Sequence, residues 1–180
     1  TPTATATTEP SATPTATSTP RPSFPAQDAT LAEGELPAQA FTGGALRYTV
    51  ESVVRAPQID ELALTPVVGF DWVAVLLHAE NWSEADVALA VADHQLLTYG
   101  AYGVAGVFAD PVTLVIAQNI GLNPALGVAD TTTIEPGSGL RLVLVYLIRP
   151  DTTLLQLTTG QTAIDLTPAL GSAVPITDPG

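Results

Sequence analysis

Two runs of apolar residues constrain this chain more than any other feature: residues 70–79 (FDWVAVLLHA) and residues 140–148 (LRLVLVYLI). Both have the length of a strand and are bounded by turn signals, and both carry apolar side chains on the two faces a strand would present. Such a segment belongs at the centre of a sheet, with one face on a core and the other at least partly covered. Around these runs the period is two. Leu46, Tyr48 and Val50 alternate with Arg47, Thr49 and Glu51, and the strand continues through Val53 and Val54. Shorter strands are expected at residues 87–91, 94–99, 112–117, 154–157 and 163–166, and residues 56–69, with Pro57, Pro66 and Gly69, read as a long connection. Helical periodicity is nearly missing; residues 31–36 or 110–119 are the places a short helix would fit. Many short strands punctuated by turns indicate an all-β, antiparallel, immunoglobulin-like β-sandwich.

The first 25 residues (TPTATATTEPSATPTATSTPRPSFP) cannot join such a core, because prolines recur and the remainder is nearly all Thr, Ala and Ser. They are expected to form a disordered or extended Thr/Pro-rich arm. That composition suits an O-glycosylated stalk, with Thr3, Thr5, Thr7, Thr8, Thr13, Thr15, Thr17 and Thr19 as acceptors, or else a bare linker. Residues 3–8 alternate Thr with Ala without proline, a pattern that also suits a strand added to a neighbour's sheet edge. The organisation is therefore an arm over 1–25, a transitional segment over 26–43, and the sandwich over 44–180.

Eighteen acidic residues face five arginines and no lysine, for a net charge of −13. Phosphate backbones and anionic lipid surfaces are repelled by such a chain, which argues against a nucleic-acid partner. No apolar stretch reaches the roughly 18 residues of a membrane span. Cysteine is absent, so disulfides, thiol nucleophiles and Cys-ligated zinc are excluded together. Methionine is absent even at position 1, which points to processing or truncation, with any signal or lipid-anchor motif lying upstream.

In order along the chain, RYTVESV, DWVAVLLHAENWS, EPGSGLRLVLVYLIRP and LLQLTTGQTAIDL resemble the immunoglobulin-like extracellular domain found in bacterial and archaeal lipoproteins, a family of unknown function. The resemblance covers residues 44–168. It implies surface display behind a low-complexity linker, and it brings no catalytic residues. Residues 99–133 depart from the pattern, being longer and more apolar, and are a place where this chain's own contacts would be made.

Residues in patterns that carry chemistry are few. His78 and His94 show neither HxH nor HExxH spacing. Glu80, Glu84 and Asp86 gather near one turn but lack a calcium-loop pattern. Gly137-Ser138-Gly139 lacks a nucleophile elbow, and the glycines at 100, 103 and 106 lack a phosphate loop's Lys-Ser/Thr. Asn81-Trp82-Ser83 matches an N-glycosylation acceptor, but Asn81 also fits a structural turn; Trp82 either caps the core or stands out as a contact anchor. The expectation is a non-enzymatic extracellular or cell-surface module without cofactor or metal. Its partners would be other copies of itself or other surface proteins, with assembly into a filament or surface layer through sheet edges and arm. The alternative is a carbohydrate- or calcium-binding surface module.

Overall fold

A computed structural model describes residues 41–166, apart from 44, 102, 153, 160 and 161. The eight threonines proposed as O-glycosylation acceptors lie outside the described residues, as does the suggested helix at 31–36.

The strands are β1 (Phe41–Gly43), β2 (Leu46–Ala56), β3 (Asp71–Asn81), β4 (Val87–Ala90), β5 (His94–Gly100), β6 (Gly103–Val107), β7 (Thr131–Ile134), β8 (Gly139–Ile148), β9 (Leu154–Thr159) and β10 (Thr162–Asp165), with a helix α1 (Val112–Asn119). They form an antiparallel β-sandwich, as the period-two pattern predicts. The front sheet has the order β1-β2-β3-β8, the back sheet β10-β9-β5-β6, and β4 pairs with β7 in a separate ribbon. β1 approaches β10, and β6 approaches β8, at a few residues only. The strand β1 pairs with Leu46, Arg47 and Tyr48 and stands just ahead of the expected domain start at 44.

Between the sheets, Tyr48, Val50, Val73, Val75, Leu77, Leu142, Leu144 and Tyr146 from the front pack on Leu96, Leu155, Leu157 and Ile164 from the back. The opposite set of front-sheet residues, Trp72, Ala74, Leu76, Val143 and Val145, builds a second core with Ile59, Leu62, Leu64, Ile116 and Ala117. This explains why β3 and β8 are apolar on both faces: the second face is roofed by α1 and the 59–64 connection. A bulge between Val50 and Ser52 shifts the β2–β3 register by one residue, which keeps Val53 on the inner core while Ser52 and Val54 turn outward.

Three local expectations are corrected. Residues 112–117 form the start of a helix, the alternative that residues 110–119 offered, and not a strand. The Asp110 carboxylate accepts a hydrogen bond from the Val112 N–H at 2.9 Å, and Pro111 sits at the helix entry, where its missing donor costs nothing. The helix stops at Gly121, whose φ of +76° is open to glycine; Leu122 N–H returns to Ala117 C=O and Gly121 N–H to Gln118 C=O, a Schellman ending. Residues 103–107 and 131–134, where no strand was expected, are strands. And in the long 99–133 segment, Val112, Ile116, Ala117, Ile120, Leu122 and Ala125 pack on this protein's own front sheet, which leaves Val104, Phe108 and Val115 as its exposed large apolar residues among those described.

Candidate functional site

An antiparallel sandwich has strand edges to dispose of, and this one treats them unequally. β8 ends the front sheet, and its Val145 N–H and C=O would face outward. Thr113 Oγ1 accepts from that N–H at 3.1 Å, and Asp110 N–H donates to that C=O at 2.6 Å. Thr113 is fully buried in doing so. The first turn of α1 thus seals the middle of the β8 edge.

Among the described residues, the edge strand β6 has no such cover. Gly100 pairs with Gly103 at the base of a tight hairpin, and Gly103 takes φ +91°, a backbone conformation open to glycine. From there β6 pairs with β5 in regular register, Val104 opposite Tyr99 and Val107 opposite Leu96. Thr98 Oγ1 donates to Ala105 C=O at 3.2 Å, which places the Ala105 backbone groups on the β5 side. By alternation the N–H and C=O of Val104 and Gly106 point away from the sheet. Residues 103–106 are exposed, and only Val107 tucks against the core. Val104 is 62% exposed, and Phe108, the residue after the strand, is 60% exposed. No charged side chain occurs between Asp93 and Asp110, in a chain of net charge −13. Lysine, proline, inward charge and bulge, the usual devices that blunt an edge, are all missing from β6.

Other surface features are smaller. On the uncovered part of the front sheet's outer face, Arg141 donates to Glu51 Oε2 through Nε at 2.8 Å and Nη2 at 2.6 Å. Next to this pair, His78, Arg141, Asn123 and Gly139 help line an open hollow of 360 Å³. Gly139 is required there, since a Cβ would come within 2.8 Å of His78 Nε2 and 3.0 Å of Ala79 C=O. At the opposite end of the sheet, Val67–Phe70 make a turn closed by Phe70 N–H to Val67 C=O, with Gly69 at φ +81° and Val68 99% exposed. The indole of Trp72 steadies this connection by donating to Thr65 C=O at 2.7 Å.

The residues singled out in the sequence are dispersed. Asn81 is 1% exposed, and its amide is fully engaged: Nδ2 donates to Ala85 C=O and Ile134 C=O, both at 2.8 Å, while Oδ1 accepts from Ser83 N–H at 2.9 Å and Ser83 Oγ at 2.7 Å. A sugar on Nδ2 would break one of these bonds, so in the folded chain Asn81 is a structural amide that ties the β3 end to β7. Trp82 is half-buried, with the Arg47 guanidinium 4.9 Å from its ring centroid. Ser138 belongs to a turn with Pro136 and Gly137 in which Ser138 N–H donates to Glu135 C=O.

His78 and His94 are on opposite sides of the front sheet. His78 pairs with Arg141 on the outer face, whereas His94 is 2% exposed inside the sandwich, edge-on to Tyr48 at 5.4 Å. Burial holds the His94 imidazole below its ordinary value of 6.5, against the opposing pull of backbone carbonyls and Asp93. Burial raises the Tyr48 phenol to about 12, with Asp93 adding to the effect, and pushes Tyr146 up as well. Tyr146 donates to His94 C=O at 3.1 Å, so this buried polar group is part of the packing. Among the described residues, no three His, Asp or Glu side chains come together to hold a metal ion, and no helix is long and apolar enough to cross a membrane.

No family model matches the chain, and no curated protein does either. Among solved structures it is similar to a conserved hypothetical protein from Bacillus anthracis, at 15% identity and a TM-score of 0.47, over 71% of this chain and 92% of that one. It is also similar to an uncharacterized β-sandwich protein from Clostridium difficile, at 9% identity and 0.45, over 79% and 97%. A third is a chain assigned as a lipoprotein of Bacillus subtilis, at 10% identity and 0.43, over 75% of this chain and 38% of that one.

Proposed function

We propose that this chain is a non-catalytic extracellular module, displayed at the cell surface behind its Thr/Pro-rich arm, whose work is to make protein contacts through a sheet edge. The observation that carries the reading is β6: an exposed, uncharged edge whose outward backbone groups no described residue engages, with Val104 on it and Phe108 just after it both exposed, on an otherwise acidic molecule. Edges of this kind bind extended strands, with backbone hydrogen bonds giving affinity and alternate side chains giving selectivity. A molecule of net charge −13 makes close contacts most readily where it carries no charge.

Two measurements test this. An antibody to the chain should label intact cells; labelling that needs permeabilisation rules out display. Proximity labelling on intact cells should give a set of neighbouring proteins that shrinks when Val104→Glu is introduced. An unchanged set shows that contacts are made elsewhere.

A second reading, a carbohydrate-binding surface module, is favoured by the hollow beside His78, Asn123 and Arg141, which offers polar groups in an open recess. A glycan array with no binding, or binding unaffected by Asn123→Ala, removes it.

A further inference from the structure

The composition of β6 names a partner for that edge, an inference that rests on the contact reading above and sharpens it. The strand reads Gly103-Val104-Ala105-Gly106-Val107. Laid antiparallel against a second copy of itself about Ala105, it sets Gly103 opposite Val107, Val104 opposite Gly106 and Ala105 opposite Ala105. Every valine meets a glycine, so each larger side chain fills the space its opposite number leaves empty.

The backbone obeys the same symmetry. Val104 and Gly106 carry the outward N–H and C=O groups, and in this register they face each other twice, once on each side of the two-fold axis. We propose that the β6 edges of two copies of this chain pair across a two-fold axis at Ala105. The four-stranded back sheets then join into one continuous sheet, and the contact is isologous and closed.

A pairing of two five-residue strands buries well under the roughly 1,200 Å² of a stable interface, so the contact is weak in dilute solution. Anchored display in a plane raises local concentration and favours it. The absence of any cysteine from the chain supplies a direct test. Opposed Ala105 residues form a non-hydrogen-bonded pair with Cα atoms about 4.5 Å apart, inside the range a disulfide bridges. The full chain carrying Ala105→Cys, held with oxidised glutathione, should form a disulfide dimer at least tenfold faster than the same chain carrying Val68→Cys, whose native side chain is 99% exposed.

Adding Val104→Glu to Ala105→Cys sets two carboxylates near the axis and should slow the cross-link, as should Val104→Lys. Mixing the two doubly substituted chains should restore it between unlike partners. Folding of each variant is checked by circular dichroism, and Val104 is exposed enough to take either substitution. Equal rates for the Ala105→Cys and Val68→Cys chains, or no rescue on mixing, overturn the two-fold pairing. Proximity labelling that still depends on Val104 would then assign the edge to a different protein, so this failure is distinct from failure of the contact reading itself.

Discussion

Replacing Asn81 with alanine should be among the most damaging single changes on this fold, and its size follows from the bonds lost. The amide makes four hydrogen bonds, at 2.7–2.9 Å, and is 1% exposed. Once Oδ1 is gone, the one hydroxyl proton of Ser83 is free to go to Ala85 C=O, 2.8 Å from Oγ, and the Ser83 N–H lies near solvent. Ile134 C=O loses its donor in a buried position. An unsatisfied buried carbonyl costs about 1–3 kcal/mol, and the Ala85 and Ser83 groups, which find other partners, add about 1 kcal/mol together, so the total is about 3 kcal/mol. For a domain of this size that is a fall in melting temperature of about 10 °C. Chemical unfolding followed by fluorescence of Trp72 and Trp82, the only tryptophans, measures it. Ser83→Ala is the control, because it removes the same N-glycosylation signal but keeps the bond from Ser83 N–H to Asn81; it should cost about 1 kcal/mol. Equal losses for the two variants would mean that stability came from a sugar and not from the amide. A loss below about 1 kcal/mol for Asn81→Ala would refute the four-bond account.

Three further outcomes are expected. Thr113→Val keeps shape but removes the acceptor for Val145 N–H, costing about 1–3 kcal/mol in urea unfolding, and it reopens the β8 edge so that aggregation on heating should rise. Arg55 donates to Asp71 at 2.9 Å and to Thr152 C=O and Pro150 C=O at 3.0 and 2.8 Å, so Arg55→Met should cost about 2 kcal/mol and speed hydrogen exchange in residues 149–152 without affecting β6. For His94 the sign is fixed by burial: the folded state holds the imidazole below 6.5, so the unfolded chain takes up the proton first. The stability due to neutral His94 is present above that pH and is lost as pH falls below it, toward the folded value. Between pH 7 and 5, above most carboxylate titration, the wild type should lose melting temperature and His94→Gln should lose less; equal slopes would show that His94 is not responsible.

The sheets were legible because their signals are local. The alternation from Leu46 to Val50 and the double-sided runs in β3 and β8 follow directly from which faces are buried. The turn at Pro136-Gly137 also shows in the residues, since Gly137 adopts φ +73°. The helix at Val112–Asn119 was legible only as an alternative to a strand, because its Val and Ile favour strands in isolation; tertiary roofing of Trp72, Ala74 and Leu76 overrides that preference. Asp110-Pro111 was the available signal, a capping acid followed by a proline suited to the first turn. β6 was missed for the opposite reason. Gly103, Ala105 and Gly106 have low strand propensity, and nothing buries that strand's residues except at Val107, so no periodicity could mark it.

That weakness of pattern bears on what β6 does. A strand with a buried face has its register set by burial, whereas β6 is positioned by the hairpin at Gly100 and Gly103 and by its pairing with β5. The chain then leaves β6 at Val107, and within three residues Asp110 has crossed to close the edge of β8. The segment that follows β6 is thus committed to the edge of β8. A sheet edge left open in this way, with small uncharged residues and a register fixed from one side only, gains a second neighbour at little cost in rearrangement. Inserting a single charge at Val104 should therefore change association while leaving the unfolding midpoint nearly as it was, since Val104 contributes little to either core.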